Sequence, residues 1–295
     1  TAILGVSYIK GLQGNGEFLK SAACAKHYAV HSGPESLRHS FNAEVSEHDL
    51  WETYLPAFEW AVKAGVVGIM GAYNRTNGEP CCGHKVLMED ILRDQWKFQG
   101  HYVSDCWAVR DFHTNHMVTA TAEESAALAL KTGCDVNCGN TYLHMLSAYE
   151  QGLVTEEDIT IAAERLFTTR FLLGMFDETE YDKIGYDKIE CKEHLDLADR
   201  ATAEGVVLLK NNGLLPLKKD EIKSIGVIGP NANSRVALVG NYHGTSSRYI
   251  TVLEGIQDEV GDDVRVYYSE GSHLFRDRLE HLGWRQDRIS EAVNV

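Results

Sequence analysis

The sequence predicts an α/β architecture of repeated strand–helix units followed by part of a second α/β domain, and three observations carry that prediction. Short apolar strands begin near residues 22, 66, 100 and 134, each followed by a helical pattern, which is the alternation of a parallel sheet or a β/α barrel. A polar, irregular stretch then interrupts the alternation at 177–194. Beyond it, buried-strand patterns return at 224–229 and 264–268, on either side of a helical pattern at 252–260. The expected domains are therefore 1–176, a linker at 177–194, and 195–295. Four strand–helix units cannot close an eight-stranded barrel, so residues 1–176 are either an open sheet or the second half of a barrel.

Each element has a local reason. Residues 2–13 place Ile3, Val6, Ile9 and Leu12 on a helical period, and the glycines at 14 and 16 stop it. A small, apolar strand at 21–25 runs straight into Lys26 and His27, and a loop rich in Gly, Pro, Ser and His follows at 31–42. Ser46 opens a helix whose Leu50, Tyr54, Phe58 and Val62 form one apolar stripe, closed by Gly65. The strand 66–71 leads to Tyr73 and a turn at Asn77-Gly78. A helix at 85–96 precedes the strand 101–104, which ends abruptly in Asp105. Thr121 and Glu124 are spaced as a capping box for a helix to Thr132, and 134–138 is the next strand. Helices at 141–151 and 155–173 complete this half, the second opened by Thr155 with Asp158. In the second half, helices are expected at 195–210 and 287–293.

Composition narrows the partners. Lys and Arg number 28 against 43 Asp and Glu, a net charge of −15 without a basic run, which argues against nucleic acid or an anionic membrane. The longest apolar run, 159–174, is broken by Glu164, Arg165 and Arg170, so no membrane span is expected. The chain starts at Thr1 without a leader pattern, and its native start is expected upstream. The seven cysteines, odd in number and lacking CxxC spacing, read as buried or free thiols and favour a cytoplasmic location. Cys81, Cys82, Cys134 and Cys138 with His84 lack the spacing of a zinc site, so no metal or other cofactor is expected.

If the strands are parallel neighbours, Lys26, His27, Tyr73 and Asp105 converge at their carboxyl ends on one rim. A carboxylate beside a lysine and hydrogen-bond donors stays ionised at neutral pH, as a nucleophile requires. Lys26 and His27 suit sugar hydroxyls, and Trp107 offers a ring an apolar face. The plainer readings are that Asp105 caps the following helix and that Trp107 packs in the core. A Schiff-base aldolase using Lys26 and a non-catalytic carbohydrate-binding protein are the competing functions. Nucleotide binding at 226–231 is disfavoured, because the glycine spacing is incomplete and Pro230 removes a donor.

The motifs AKHYAV (25–30), IMGAYN (69–74), GHYVSDCWAV (100–109), GMFD (174–177), VVLLKN, LLPL and VIGPNA, in that order, resemble the β-glucosidase and β-xylosidase branch of glycoside hydrolase family 3. The resemblance covers essentially the whole chain. It implies the second half of a (β/α)8 TIM-type barrel followed by part of an α/β sandwich domain. It also implies a retaining, exo-acting hydrolase that releases a terminal β-linked glucose or xylose from an oligosaccharide or an aryl or alkyl β-glycoside. Asp105 corresponds to the nucleophile, Lys26 and His27 to the pair that binds the sugar, Tyr73 to the tyrosine beside the nucleophile, and Arg38 to the arginine between that pair and the next helix. Cysteine directly after the nucleophile is more like xylosidases than glucosidases. The loop after Lys26-His27 lacks the Asp-His acid/base pattern of the N-acetylglucosaminidases. The loop 240–248 is similar to one that approaches the sugar. The family's early-strand acid and arginine are expected before Thr1 and its acid/base glutamate after Val295, so little turnover is expected of these residues alone. A homo-oligomer is left open.

Overall fold

The structure, a computed structural model, describes residues 1–31, 33–274 and 287–295; of the loop expected at 31–42, Ser32 lies outside the described residues. It divides into two compact units, Thr1–Ile184 and Gly185–Val295.

The first unit opens with α1 (Ala2–Gln13) and then sets β1 (Cys24–Tyr28), β2 (Asn42–Ala43), β3 (Gly68–Gly71), β4 (Arg75–Thr76), β5 (Glu79–Pro80) and β6 (His101–Val103). The parallel sheet has the order β1-β3-β6, with Ala25 opposite Ile69 and Ile69 opposite Tyr102. Its middle is fully buried: Tyr28, Ile69 and Tyr102 have no exposed surface. Burying such side chains contributes on the order of 1.5–3 kcal/mol each. The two tyrosine hydroxyls are satisfied in the core, Tyr28 Oη donating to the Leu87 carbonyl at 2.8 Å and Tyr102 Oη to the Cys81 carbonyl at 2.9 Å. Gly100 is required by close approach, because a Cβ there would sit 2.1 Å from the Val67 carbonyl oxygen.

Two strands depart from expectation. β1 runs three residues later than 21–25, so Lys26 and His27 lie inside it. Lys26 pairs with Met70 and Tyr28 with Gly71, which leaves His27 as an extra residue in β1, and such a bulge re-aims a side chain. The expected strand 134–138 reduces to a single parallel bridge between Val103 and Val136. The physical reason is that its remaining backbone groups are used elsewhere: Asp135 and Val136 N–H both donate to the Tyr102 carbonyl, and Cys138 bonds to Ser104 Oγ and Trp107 N–H.

The helices follow the strands. The stripe opened by Ser46 becomes a π-wound turn (Leu50–Tyr54) running into α2 (Pro56–Lys63), and α3 (Val86–Gln95) is π-wound as well. Next come α4 (Asp111–Thr114), α5 (Ala122–Lys131), α6 (Met145–Glu150) and α7 (Glu156–Leu172). Thr155 and Asp158 form the expected capping box of α7, whereas Glu124 reaches past Thr121 to the Ala120 N–H at 2.6 Å. A buried acid that sequence reading missed, Asp135, joins three elements: it accepts from Arg93 of α3 at 2.9 Å, Arg165 of α7 at 3.0 Å and Tyr102 N–H at 2.7 Å. Burial pushes its carboxyl up, and Arg93 leads the groups that oppose the shift.

In the second unit, α8 spans Lys192–Gly205 rather than 195–210, because the β-branched and apolar run that begins at Val206 turns extended. The parallel pair β7 (Ser224–Ile228) and β8 (Arg265–Ser269) is crossed over by α9 (Val252–Val260), whose Thr251 and Glu254 form a capping box. Val227, Ala232 and Leu253 form its core. A last helix, α10, spans Asp287–Asn294.

Candidate active site

Asp105 sits two residues beyond β6, only 4% exposed. Ser104, between them, is locked by three bonds: its N–H donates to the Val136 carbonyl at 2.9 Å, and its Oγ accepts from Cys138 N–H at 3.0 Å and Asn137 Nδ2 at 3.2 Å. The acid's own Oδ1 accepts from Cys106 N–H at 2.8 Å. This geometry decides the capping alternative. α4 starts only at Asp111, and Arg110 stands at its N-cap position, so Asp105 does not cap it.

The carboxylate's second oxygen, Oδ2, faces His27. Nε2 lies 3.2 Å away, and no well-formed hydrogen bond saturates that oxygen. A carboxyl oxygen held at the end of a strand and not saturated by the protein is available to an electrophile. Burial lowers the His27 pKa, opposed by Asp105 and reinforced by His31, Lys26 and Arg38, so the imidazole is neutral at neutral pH. Lys26 belongs to the same electrostatic cluster: its charge lowers the Cys24 thiol while that of Asp105 raises it.

Arg38 and Tyr73 meet each other, the guanidinium lying 5.7 Å from the ring centroid, and Arg38 also ion-pairs with Glu35. Through its charge Arg38 reaches His27 as well. Trp107 is 47% exposed, which rules out core packing, and its backbone is left-handed at φ 71°. Trp107 N–H donates to the Cys138 carbonyl at 2.6 Å, and a Cβ on Gly139, itself at φ 138°, would come within 3.3 Å of that same nitrogen.

Sequence reading missed three features. His31 lies 4.4 Å from His27, ring to ring. His39 bonds to Asp111 at 2.8 Å. Most directly, the expectation of free thiols fails at Cys106 and Cys138, which form a disulfide; the other five cysteines are free. A signal existed, since Cys138 ends the expected strand 134–138 and Cys106 follows the expected strand 101–104 by two residues. In the loop 240–248, Ser246 Oγ and Ser247 N–H are bound to Glu190 and Arg248 to Asp258. Among the described residues no cluster of His, Cys, Asp and Glu could hold a metal ion.

Residues 1–169 match the model of the glycosyl hydrolase family 3 N terminal domain, and residues 206–295 match that of its C-terminal domain. The chain belongs to glycoside hydrolase family 3. As a family 3 chain it carries the second half of the (β/α)8 barrel followed by part of the α/β sandwich domain. It is 41% identical over 289 residues to a xylan 1,4-beta-xylosidase of Xylanibacter ruminicola, covering 95% of this chain and 33% of that enzyme. A beta-xylosidase/alpha-L-arabinofuranosidase of Medicago sativa subsp. varia is 39% identical, covering 84% of this chain and 34% of that protein. Among solved structures, a GH3 exo-beta-xylosidase in complex with a xylobiose aziridine activity-based probe superposes with a TM-score of 0.87 at 33% identity, covering 99% of this chain and 38% of that one. A Listeria innocua beta-glucosidase in complex with glucose superposes with a TM-score of 0.81 at 31% identity, covering 94% and 39%. The family 3 chain described here thus spans about a third of the length of the curated relatives it matches.

Proposed function

We propose that the protein is a retaining, exo-acting glycosidase that releases a terminal β-linked xylose through a covalent glycosyl-Asp105 intermediate. The observation that carries this reading is the buried carboxylate of Asp105, presented at a strand end with one oxygen held by Cys106 N–H and the other unsaturated beside His27. The relatives named as xylosidases support xylose over glucose, as does the cysteine that follows the nucleophile.

In the first step Asp105 Oδ2 attacks the anomeric carbon while the leaving oxygen takes a proton; in the second, water attacks the same carbon and frees the carboxylate. A retaining mechanism places a second carboxyl roughly 5–5.5 Å from the first to act as acid and then base. We assign that role to none of the glutamates in this chain. Lys26 and neutral His27 hold hydroxyls of the bound sugar, Arg38 and Tyr73 close one flank, and Trp107 offers its exposed face.

The test is covalent trapping. A 2-deoxy-2-fluoro-β-xylosyl fluoride should inactivate the full-length protein and leave the fluoroxylosyl group on the peptide that contains Asp105. Turnover of an aryl β-xyloside with the label on another residue, or with inverted anomeric configuration, would defeat the proposal.

A further inference from the structure

His39 and Asp111, to which the sequence assigns no role, join the turns that follow Asp105 to Tyr73. Asp111 begins α4, and two hydrogen-bonded turns join it to the nucleophile: Ala108 N–H donates to the Asp105 carbonyl at 3.0 Å, and Asp111 N–H to the Ala108 carbonyl at 3.2 Å. Its carboxylate is 4% exposed. One oxygen pairs with His39 Nδ1 at 2.8 Å and the other accepts from Asn115 Nδ2 at 2.6 Å. The His39 ring then meets the Tyr73 ring edge to face at 4.7 Å, while Arg38, its neighbour in sequence, covers that same tyrosine.

The loop that carries His39 is already tied down without this contact. β2 pairs with β4, Arg75 N–H donates to the Phe41 carbonyl at 3.0 Å, and Arg75 Nη2 donates to the Ser40 carbonyl at 3.1 Å. A buried carboxylate is costly unless donors satisfy it, and a short helix gains nothing in packing from carrying one. The arrangement therefore points to the imidazole, whose orientation Asp111 sets, and to the ring against which that imidazole packs.

We propose that Asp111 and His39 act as a positioning pair, Asp111 orienting the His39 ring and that ring fixing how Tyr73 meets the sugar. The proposal rests on the glycosidase reading above. Neither residue touches the reacting atoms; both act through Tyr73. Misplacement of a binding group by about 1 Å costs on the order of 100-fold in rate, which sets the scale of the expected effect.

The test uses the full-length enzyme with an aryl β-xyloside. His39→Ala and Asp111→Ala should each lower kcat by roughly 10- to 100-fold with KM moving less than about threefold. Because the two act as one unit, the double variant should fall no further than the worse single variant. In a Tyr73→Ala background, His39→Ala should add no loss. Asp111→Asn keeps an acceptor for the imidazole and should return kcat to within about threefold of wild type, which also covers the case in which Asp111→Ala fails to fold. Wild-type kcat in His39→Ala, multiplying losses in the double variant, or an undiminished His39 effect without the Tyr73 ring would each overturn the pair. The fluoroxylosyl label on wild-type Asp105 separates the two levels: if it forms while His39→Ala is silent, only the positioning pair falls, and if it does not form, the glycosidase reading falls with it.

Discussion

His27 Nε2 and Asp105 Oδ2 stand 3.2 Å apart across two strands that do not pair directly, β1 and β6, with β3 between them. The bulge in β1 makes this meeting possible, because the extra residue there is His27 itself. Desolvation favours the neutral imidazole, so the acid gains a close polar neighbour without a full ion pair.

Asp105→Asn and Asp105→Ala should lower kcat of the full-length enzyme by several orders of magnitude while leaving the thermal midpoint close to wild type, because the group at risk is chemical rather than structural. Steady-state kinetics with an aryl β-xyloside, alongside a melting curve, checks both halves. Wild-type turnover in either variant would refute the assignment.

The disulfide closes a loop between Cys106 and Cys138, 32 residues apart in sequence. A cross-link of that span restricts the unfolded chain by about 3–4 kcal/mol. Replacing both cysteines with alanine should lower unfolding stability by about that amount, read from urea midpoints of the oxidised protein and the variant. Equal midpoints would show that the bond adds nothing to the fold.

Asp135 holds Arg93, Arg165 and Tyr102 N–H together at the sheet's last paired strand. Burial also lowers Arg93 to about 10, and Asp135 leads the groups that oppose that shift, as Arg93 does for Asp135. Asp135→Ala strands two guanidinium groups and should cost about 3–5 kcal/mol in stability, measured by chemical denaturation. A loss under 1 kcal/mol would mean that water replaces the carboxylate without penalty.

His116 is 4% exposed, neither ring nitrogen makes a well-formed hydrogen bond among the described residues, and burial, followed by Arg75, lowers its pKa to about 4. The sign follows from linkage. A histidine depressed in the fold binds its proton more readily when unfolded, so stability falls as pH drops below about 6.5 and levels off below about 4. Over that window the group accounts for about 3 kcal/mol. His116→Phe, which keeps a ring stacked against Phe112, should flatten this part of the stability–pH curve. An unchanged slope between pH 6.5 and 4 would discount His116.

Much of the fold was legible because its signals are local. Thr155 with Asp158 announces α7, and the run Ser224–Ile228 announces β7. What sequence misplaced was pairing. β1 moved three residues because the partner strand, rather than the small residues at 21–25, sets where the ladder forms. The strand at 134–138 shrank to one bridge because Ser104 and Trp107 compete for the backbone of Cys138. The candidate site divides in the same way. Asp105, Lys26 and His27 were visible as polar groups at the ends of apolar runs, whereas His39 and Asp111, 72 residues apart, carry no mark until the chain folds.

By itself, the order of apolar runs, helix caps and motifs determined the alternating α/β plan, the family and the identity of the acid at the third strand's mouth, since each is written in neighbouring residues. Tertiary structure alone decided that His27 bulges toward Asp105, that Cys106 bonds to Cys138, and that Asp111 reaches His39 beside Tyr73. The reason is range: caps and periodicity act over a few residues, but register, desolvation and side-chain pairing depend on groups that only packing brings within about 4 Å of one another.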